Sequence, residues 1–376
     1  MITRREVLTM SAAGAFALAV ARAHEAAAGA AIQPVARRPL GGERDLGRLT
    51  TADLRALAPL RPAKAIARTR NTRPFTLTLA AANVEPLPGH AVTVFSVNGT
   101  SPGPILRMIE GDDVEITIVN RMTLPATIHW HGIPVPFLMD GAGMVSQSPV
   151  QPGQTFTYRW TAPQAGTYMY HTHFDDMQEE TICGMIVVAP QTTGREPRYN
   201  VDTEIFISSI EWEQSRKIEA QAVLANSMLM PQMAANAKAD PNPDMGGAMD
   251  RMDMVEYWCF NGKSFPATKP IRVRSGDLVR VRFANFSHMT HPMHLHGHWF
   301  RVIAQDGNPF ERPNIVNTLA IHPGQTMEID FLANNPGVWP LHCHILAHML
   351  NNRDQMAGLM TVVQYEGYGL PKMMMG

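Results

Sequence analysis

The segment PLHCHILAHML, residues 340–350, sets Cys343 between His342 and His344 and then adds His348. With 3 cysteines and 15 histidines in 376 residues, that placement asks for a chemical reason. A thiolate and two imidazoles with a weak further ligand form a blue-copper electron-transfer site. Cys343, His348 and His291 supply those strong donors. Zinc prefers four closed ligands and has no use for many further imidazoles nearby. Such imidazoles are present. HWHG contributes His129 and His131, YHTH contributes His171 and His173, HPMHLHGH contributes His294 and His296, and HCH contributes His342 and His344. In a strand, side chains two apart project from one face, roughly 7 Å from each other. One His-X-His pair is ordinary on a surface strand, but four in matching places specify a metal centre. His342 and His344 then face one way and Cys343 the other, with neighbouring Cα atoms about 3.8 Å apart. A metal on the sulfur is joined through a single residue's backbone to metals on both flanking histidines.

Strands must carry these pairs. VEITIVN (114–120) and LVRVRFAN (278–285) alternate with period two and are rich in Val and Ile, each after a Gly-Asp turn. VNGTSPGP (97–104) precedes the first and FNGKSFPATKP (260–270) the second. VQPGQTFTYRW (150–160) is echoed by IHPGQTMEIDF (321–331), and PQAGTYMYHTH by NPGVWPLHCH. Two units therefore repeat one order of strands and turns. Short strands with Gly/Pro turns predict an all-β chain of two Greek-key sandwiches. The expected boundaries are 74–192 and 193–368, the second unit holding a Met-rich loop at 226–254. Upstream, TRREVLTMSAAGAFALAVARA has twin arginines and an apolar run too short to span a bilayer. Residues 1–23 read as a twin-arginine-type export signal, which implies a periplasmic or secreted protein, and 24–73 as an arm or linker. The balance of 32 basic against 33 acidic residues argues against nucleic acid or anionic membrane as partner.

With these motifs in place, the chain resembles the multicopper oxidases, in particular two-domain, laccase-like members, over about residues 75–365. The resemblance implies cupredoxin-like domains and four copper ions per active unit. It assigns His129 and His294 to a type 2 copper, and His131, His171, His173, His296, His342 and His344 to a type 3 pair. Cys343, His291 and His348 would hold a type 1 copper. His24, His90, His288, His298 and His322 are read as non-ligands. Thr172 stands at the position matching Cys343 in the first repeat, so one blue copper per chain is expected. The family's usual axial position falls on Arg353, an unsuitable neighbour; aligning AGLM instead selects Leu359, with Met356 and Met360 as rivals. Asp140, after HWHG, matches the family's acid beside the type 2 site, and Cys343 carries electrons onward to the cluster. The expected activity is oxidation of phenols or aromatic amines coupled to reduction of O2 to water, in a homotrimer.

The substrate stays open. Met228, Met230, Met233, Met245, Met249, Met252 and Met254 are soft donors suited to Cu(I), or parts of an apolar lid over an organic donor. Asp175, Asp176, Glu179 and Glu180 read as a solvated loop. A copper nitrite reductase is opposed by Thr172 and by the eight paired histidines, a metal-free relative by the complete ligand set. Cys183 and Cys259 are either a disulfide or two buried thiols, the latter being favoured.

Overall fold

The computed structural model describes residues 71–174, 181–192, 197–211, 255–350 and 358–370. The export signal, the arm as far as residue 70, the acidic residues 175–180, the Met-rich loop, Arg353 and Met356 lie outside the described residues.

The first domain comprises β1 (Thr72–Leu87), β2 (His90–Val97), β3 (Leu106–Ile109), β4 (Asp113–Asn120), β5 (Thr155–Thr161), β6 (Gly166–His171) and β7 (Cys183–Ala189). Two sheets, in the orders β2-β1-β4-β5 and β3-β7-β6, enclose a core that includes Leu77, Ile116, Trp130, Tyr158 and Ile186. The second domain comprises β8 (Val201–Glu211), β9 (Val255–Phe260), β10 (Ile271–Val273), β11 (Leu278–Asn285), β12 (His291–Leu295), β13 (Phe300–Gln305), β14 (Asn308–Val316), β15 (Thr318–Ile321), β16 (Thr326–Leu332), β17 (Val338–Cys343) and β18 (Met360–Tyr365). Its sheets run β14-β13-β16-β11-β8-β9 and β10-β18-β17-β12-β15. The chain is all-β with paired sandwiches, as the turn spacing predicts. The first strand opens at Thr72, against the expected domain start at 74.

The repeat is exact in its pairing logic. β1 runs parallel to β4 as β8 does to β11, and β4 pairs antiparallel with β5 as β11 does with β16. The HWHG segment bridges His129 to His171, and β12 pairs His294 with His342. Both turns before the alternating strands contain a cis proline, at Pro102 and Pro266.

β11 shows how the domains join. Its alternation would leave Arg280 and Arg282 to solvent in an isolated sandwich. Instead every residue of the strand is buried, because the first domain packs on its outer face. Met169, Cys183, Met185 and Val187 meet Phe206, Ala284 and Phe286 there. Buried guanidinium groups need partners. Arg282 reaches Glu328 at 2.6 Å, Asp202 at 3.0 Å and Thr167 of the first domain at 2.9 Å. Cys183 and Cys259 are buried and not joined by a disulfide, so the disulfide alternative falls.

Candidate metal centres

Cys343 ends β17 with its side chain turned into the second sandwich, where it is fully buried with His291 and His348. Sγ lies 3.5 Å from Nδ1 of His291 and 3.5 Å from Nδ1 of His348, and the two Nδ1 atoms are 3.0 Å apart. This small triangle of one sulfur and two nitrogens suits donors held about 2 Å from a shared ion. Its soft sulfur and two imidazoles match the blue-copper donor set. Burial drives His291 down to about 3 and His348 down to about 4, and pushes Cys343 up to about 11. The metal-free pocket is therefore neutral, and a metal must displace the thiol proton to gain a thiolate ligand.

The walls of this pocket were not read from the sequence. Trp258 on β9 tilts across His348 with centroids 4.3 Å apart and meets His291 edge-on at 5.2 Å. Ser264 ties that wall down, its hydroxyl donating to the Trp258 carbonyl and accepting from the Gly358 amide. Leu359 is fully buried in the cluster that contains Cys343; its carbonyl accepts from the Cys343 amide and its amide donates to the His348 carbonyl. Met360, the next residue on β18, pairs with His342.

The paired histidines form two arrays. In the first domain, the rings of His129, His131, His171 and His173 lie 5.3–6.2 Å apart wherever they meet. In the second, those of His294, His296, His342 and His344 lie 4.8–5.8 Å apart. The intervening Trp130, Thr172, Leu295 and Cys343 are all buried on the inward face, as strand alternation requires. Backbone carbonyls orient four rings. Nδ1 of His129, His171, His294 and His342 donates to the carbonyls of Asp140, Thr172, Asn317 and Cys343 at 2.7–2.9 Å, leaving Nε2 free to bind. His131 Nδ1 approaches His171 Nε2 at 3.2 Å, and His296 Nε2 approaches His342 Nε2 at 2.9 Å. Burial holds His131, His296 and His342 below the usual imidazole range and His171 at about 3, so all four present neutral donors. The carboxylate of Asp140 lies 3.4 Å from His129 Nδ1. Gly141 beyond it has φ 78°, and a Cβ there would collide with the Ile128 carbonyl.

Each predicted ligand thus joins one of three groups, and among the described residues no ring contact links the first array to the second. His298, which extends the HPMHLHGH alternation, is buried away from its array. Its Nδ1 donates to the His296 carbonyl and its Nε2 accepts from the Tyr365 hydroxyl at 2.6 Å. The repeat alignment held one further signal. Ala126 pairs with Val150 as His291 pairs with Ile321, so the first repeat lacks both the cysteine and the first histidine of the pocket.

A sandwich that keeps a buried thiolate–imidazole pocket on the same strand as outward-facing histidines is the architecture of a blue-copper oxidoreductase. Multicopper oxidase family models match residues 78–193 and 237–365, together about two thirds of the chain. The chain belongs to the multicopper oxidase family. It is 23% identical to multicopper oxidase MmcO of Mycobacterium tuberculosis, over 77% of this chain and 86% of that one. Laccase-1 of Cryptococcus neoformans is 28% identical over 80% of this chain, which spans only 48% of that relative's length. The structure of a blue copper oxidase from Nitrosomonas europaea superposes with TM-score 0.65 at 29% identity, covering 78% of this chain and 86% of that one.

Proposed function

We propose that the protein is a laccase-type oxidase that couples one-electron oxidation of a phenol or aromatic amine to four-electron reduction of O2 to water. One observation carries this reading: β17 places Cys343 in an inward pocket while His342 belongs to an outward array. Cys343, His291 and His348 would hold a type 1 copper with Leu359 in the axial place. His129 and His294 would hold the type 2 ion, and His131, His171, His173, His296, His342 and His344 the type 3 pair. When bound, these four copper ions supply one-electron transfer at the first site and oxygen reduction at the other three.

The chain's own side chains then have definable tasks. Trp258 and Leu359 keep water from the His348 and Cys343 donors. Nε2 of His348 is buried without a hydrogen-bond partner among the described residues. Asp140, half-exposed beside His129, can exchange protons with solvent at its carboxylate while its carbonyl fixes the imidazole.

Replacing Cys343 by Ser tests this reading. The wild type loaded with copper should be blue and consume O2 with a phenolic donor. The variant should lose the colour while retaining most of the other copper. A blue Ser variant would remove the type 1 assignment.

A second reading, oxidation of Cu(I) for copper tolerance, is favoured by one juxtaposition. The Met-rich segment runs directly into β9, the strand that sets Trp258 over His348. Export through the twin-arginine-type signal to the periplasm or outside fits either substrate. In both readings the active form is a homotrimer, with each three-copper cluster shared between the first domain of one subunit and the second domain of another.

A further inference from the structure

We propose that Ser287 is a positioning residue for His291, fixing its tautomer and its strength as a metal donor. The inference rests on the mononuclear pocket assigned above. Ser287 Oγ lies 2.6 Å from His291 Nε2, on the side of the ring away from Cys343. The Met289 amide donates to Oγ at 3.3 Å. Its other two neighbours are the Asn285 Oδ1 atom at 2.8 Å and the Met289 carbonyl at 3.2 Å, and both can only accept. Asn285 is oriented without ambiguity, since Nδ2 donates to the carbonyls of Met289 and Ile321 and Oδ1 accepts from the Ser287 amide. The single hydroxyl proton is therefore drawn away from the imidazole, and a lone pair of Oγ faces Nε2. That places the ring proton on Nε2 and leaves Nδ1, the pocket atom, unprotonated. Asn285, Ser287 and His291 are at most 3% exposed, so no water substitutes for the hydroxyl.

The first repeat supplies an internal control. Asn120 makes the same frame: Nδ2 donates to the carbonyls of Leu124 and Val150, and Oδ1 accepts from the Met122 amide. There Met122 stands where Ser287 does, and Ala126 where His291 does. The sandwich needs the asparagine in both repeats. The hydroxyl appears only where there is an imidazole to orient.

The test uses the full-length protein with Ser287→Ala and Ser287→Thr. Copper(II) affinity of the blue site is measured by competition with a chelator, its reduction potential by titration, and the thermal midpoint on metal-free protein. Loss of a partner behind a metal-bound histidine typically costs about 10–100-fold in affinity. Ser287→Ala should weaken copper(II) binding to that extent and raise the potential, because a less polarised imidazole stabilises Cu(II) less. Ser287→Thr should restore both. Wild-type affinity and potential in the Ala variant would overturn the proposal, as would a fall confined to the metal-free thermal midpoint. A wild type that never turns blue would instead overturn the pocket assignment on which the inference depends.

Discussion

Cys343 can serve two kinds of site only because its neighbours face away from it. The backbone alternation that buries the sulfur turns His342 outward, and the His342 Nδ1 bond to the Cys343 carbonyl closes the link between them at 2.8 Å. On the remaining side of the pocket a glycine is indispensable. Gly358 has φ 86°, and a Cβ there would strike the His348 carbonyl. Its left-handed turn brings Leu359 back to hydrogen-bond both Cys343 and His348. A leucine donates nothing to copper, whereas a thioether would stabilise Cu(II). Leu359→Met should therefore lower the reduction potential of the blue site and leave it blue. Met360→Leu, on the next residue of β18, should leave the potential unchanged. If Met360→Leu shifts the potential and Leu359→Met does not, the axial assignment moves to Met360.

At the scale of elements, β9 connects the Met-rich segment in sequence to a wall of the Cys343 pocket. It begins at Val255, directly after Met252 and Met254, and carries Trp258 against both ligand imidazoles. Deleting 228–254 behind a short Gly/Ser bridge separates the two substrate readings. Capture of Cu(I) by the thioethers predicts a larger loss of Cu(I) oxidation than of phenol oxidation. An equal loss, or a gain with phenols alone, would indicate that the segment acts as a lid. β11 makes a different point about elements. Its arginines are held by Asp202 and Glu328 of their own domain, and Arg282 and Glu328 in turn bond the Thr167 hydroxyl of the first domain, so hydrogen bonds to a buried ion-pair network as well as apolar area join the two domains.

At the scale of the molecule, each array would supply half of the histidines of the proposed three-copper cluster. Near the first in sequence are the exposed apolar side chains of Phe137, Leu138, Met144 and Val145, and near the second those of Trp299 and Leu346. Exposed apolar surface around an incomplete metal site is what a subunit interface needs before assembly. In the proposed trimer, three chains joined head to tail would close a ring of six sandwiches with no free array. Mixing two inactive chains tests this. His131→Ala and His344→Ala proteins, each without activity alone, should partly regain it when co-assembled, because some interfaces then receive two intact halves. Full activity from a monomer on a sizing column would refute the shared cluster.

The candidate donor set was legible in the amino-acid order because its chemistry is local. His-X-His and His-Cys-His set the facing of each side chain by period-two alternation, and the repeated Gly-Asp and Pro-Gly turns announce two copies of one strand order. These signals sufficed for the two sandwiches and for eleven candidate donors, whereas alternation by itself did not separate His298 from its neighbours. The pocket's walls were not legible, because Trp258 and Ser264 reach it through strand pairing and turns distant in sequence, and Ser287 is aimed at His291 by the fold of the turn that Asn285 frames. No spacing rule relates an indole on β9 to an imidazole ninety residues later; only the folded sheet brings them to 4.3 Å. The same holds for Arg280 and Arg282. Alternation alone would put them on a solvent face, and the docking of the first domain buries them, since burial is a property of what packs on a strand and not of the strand alone.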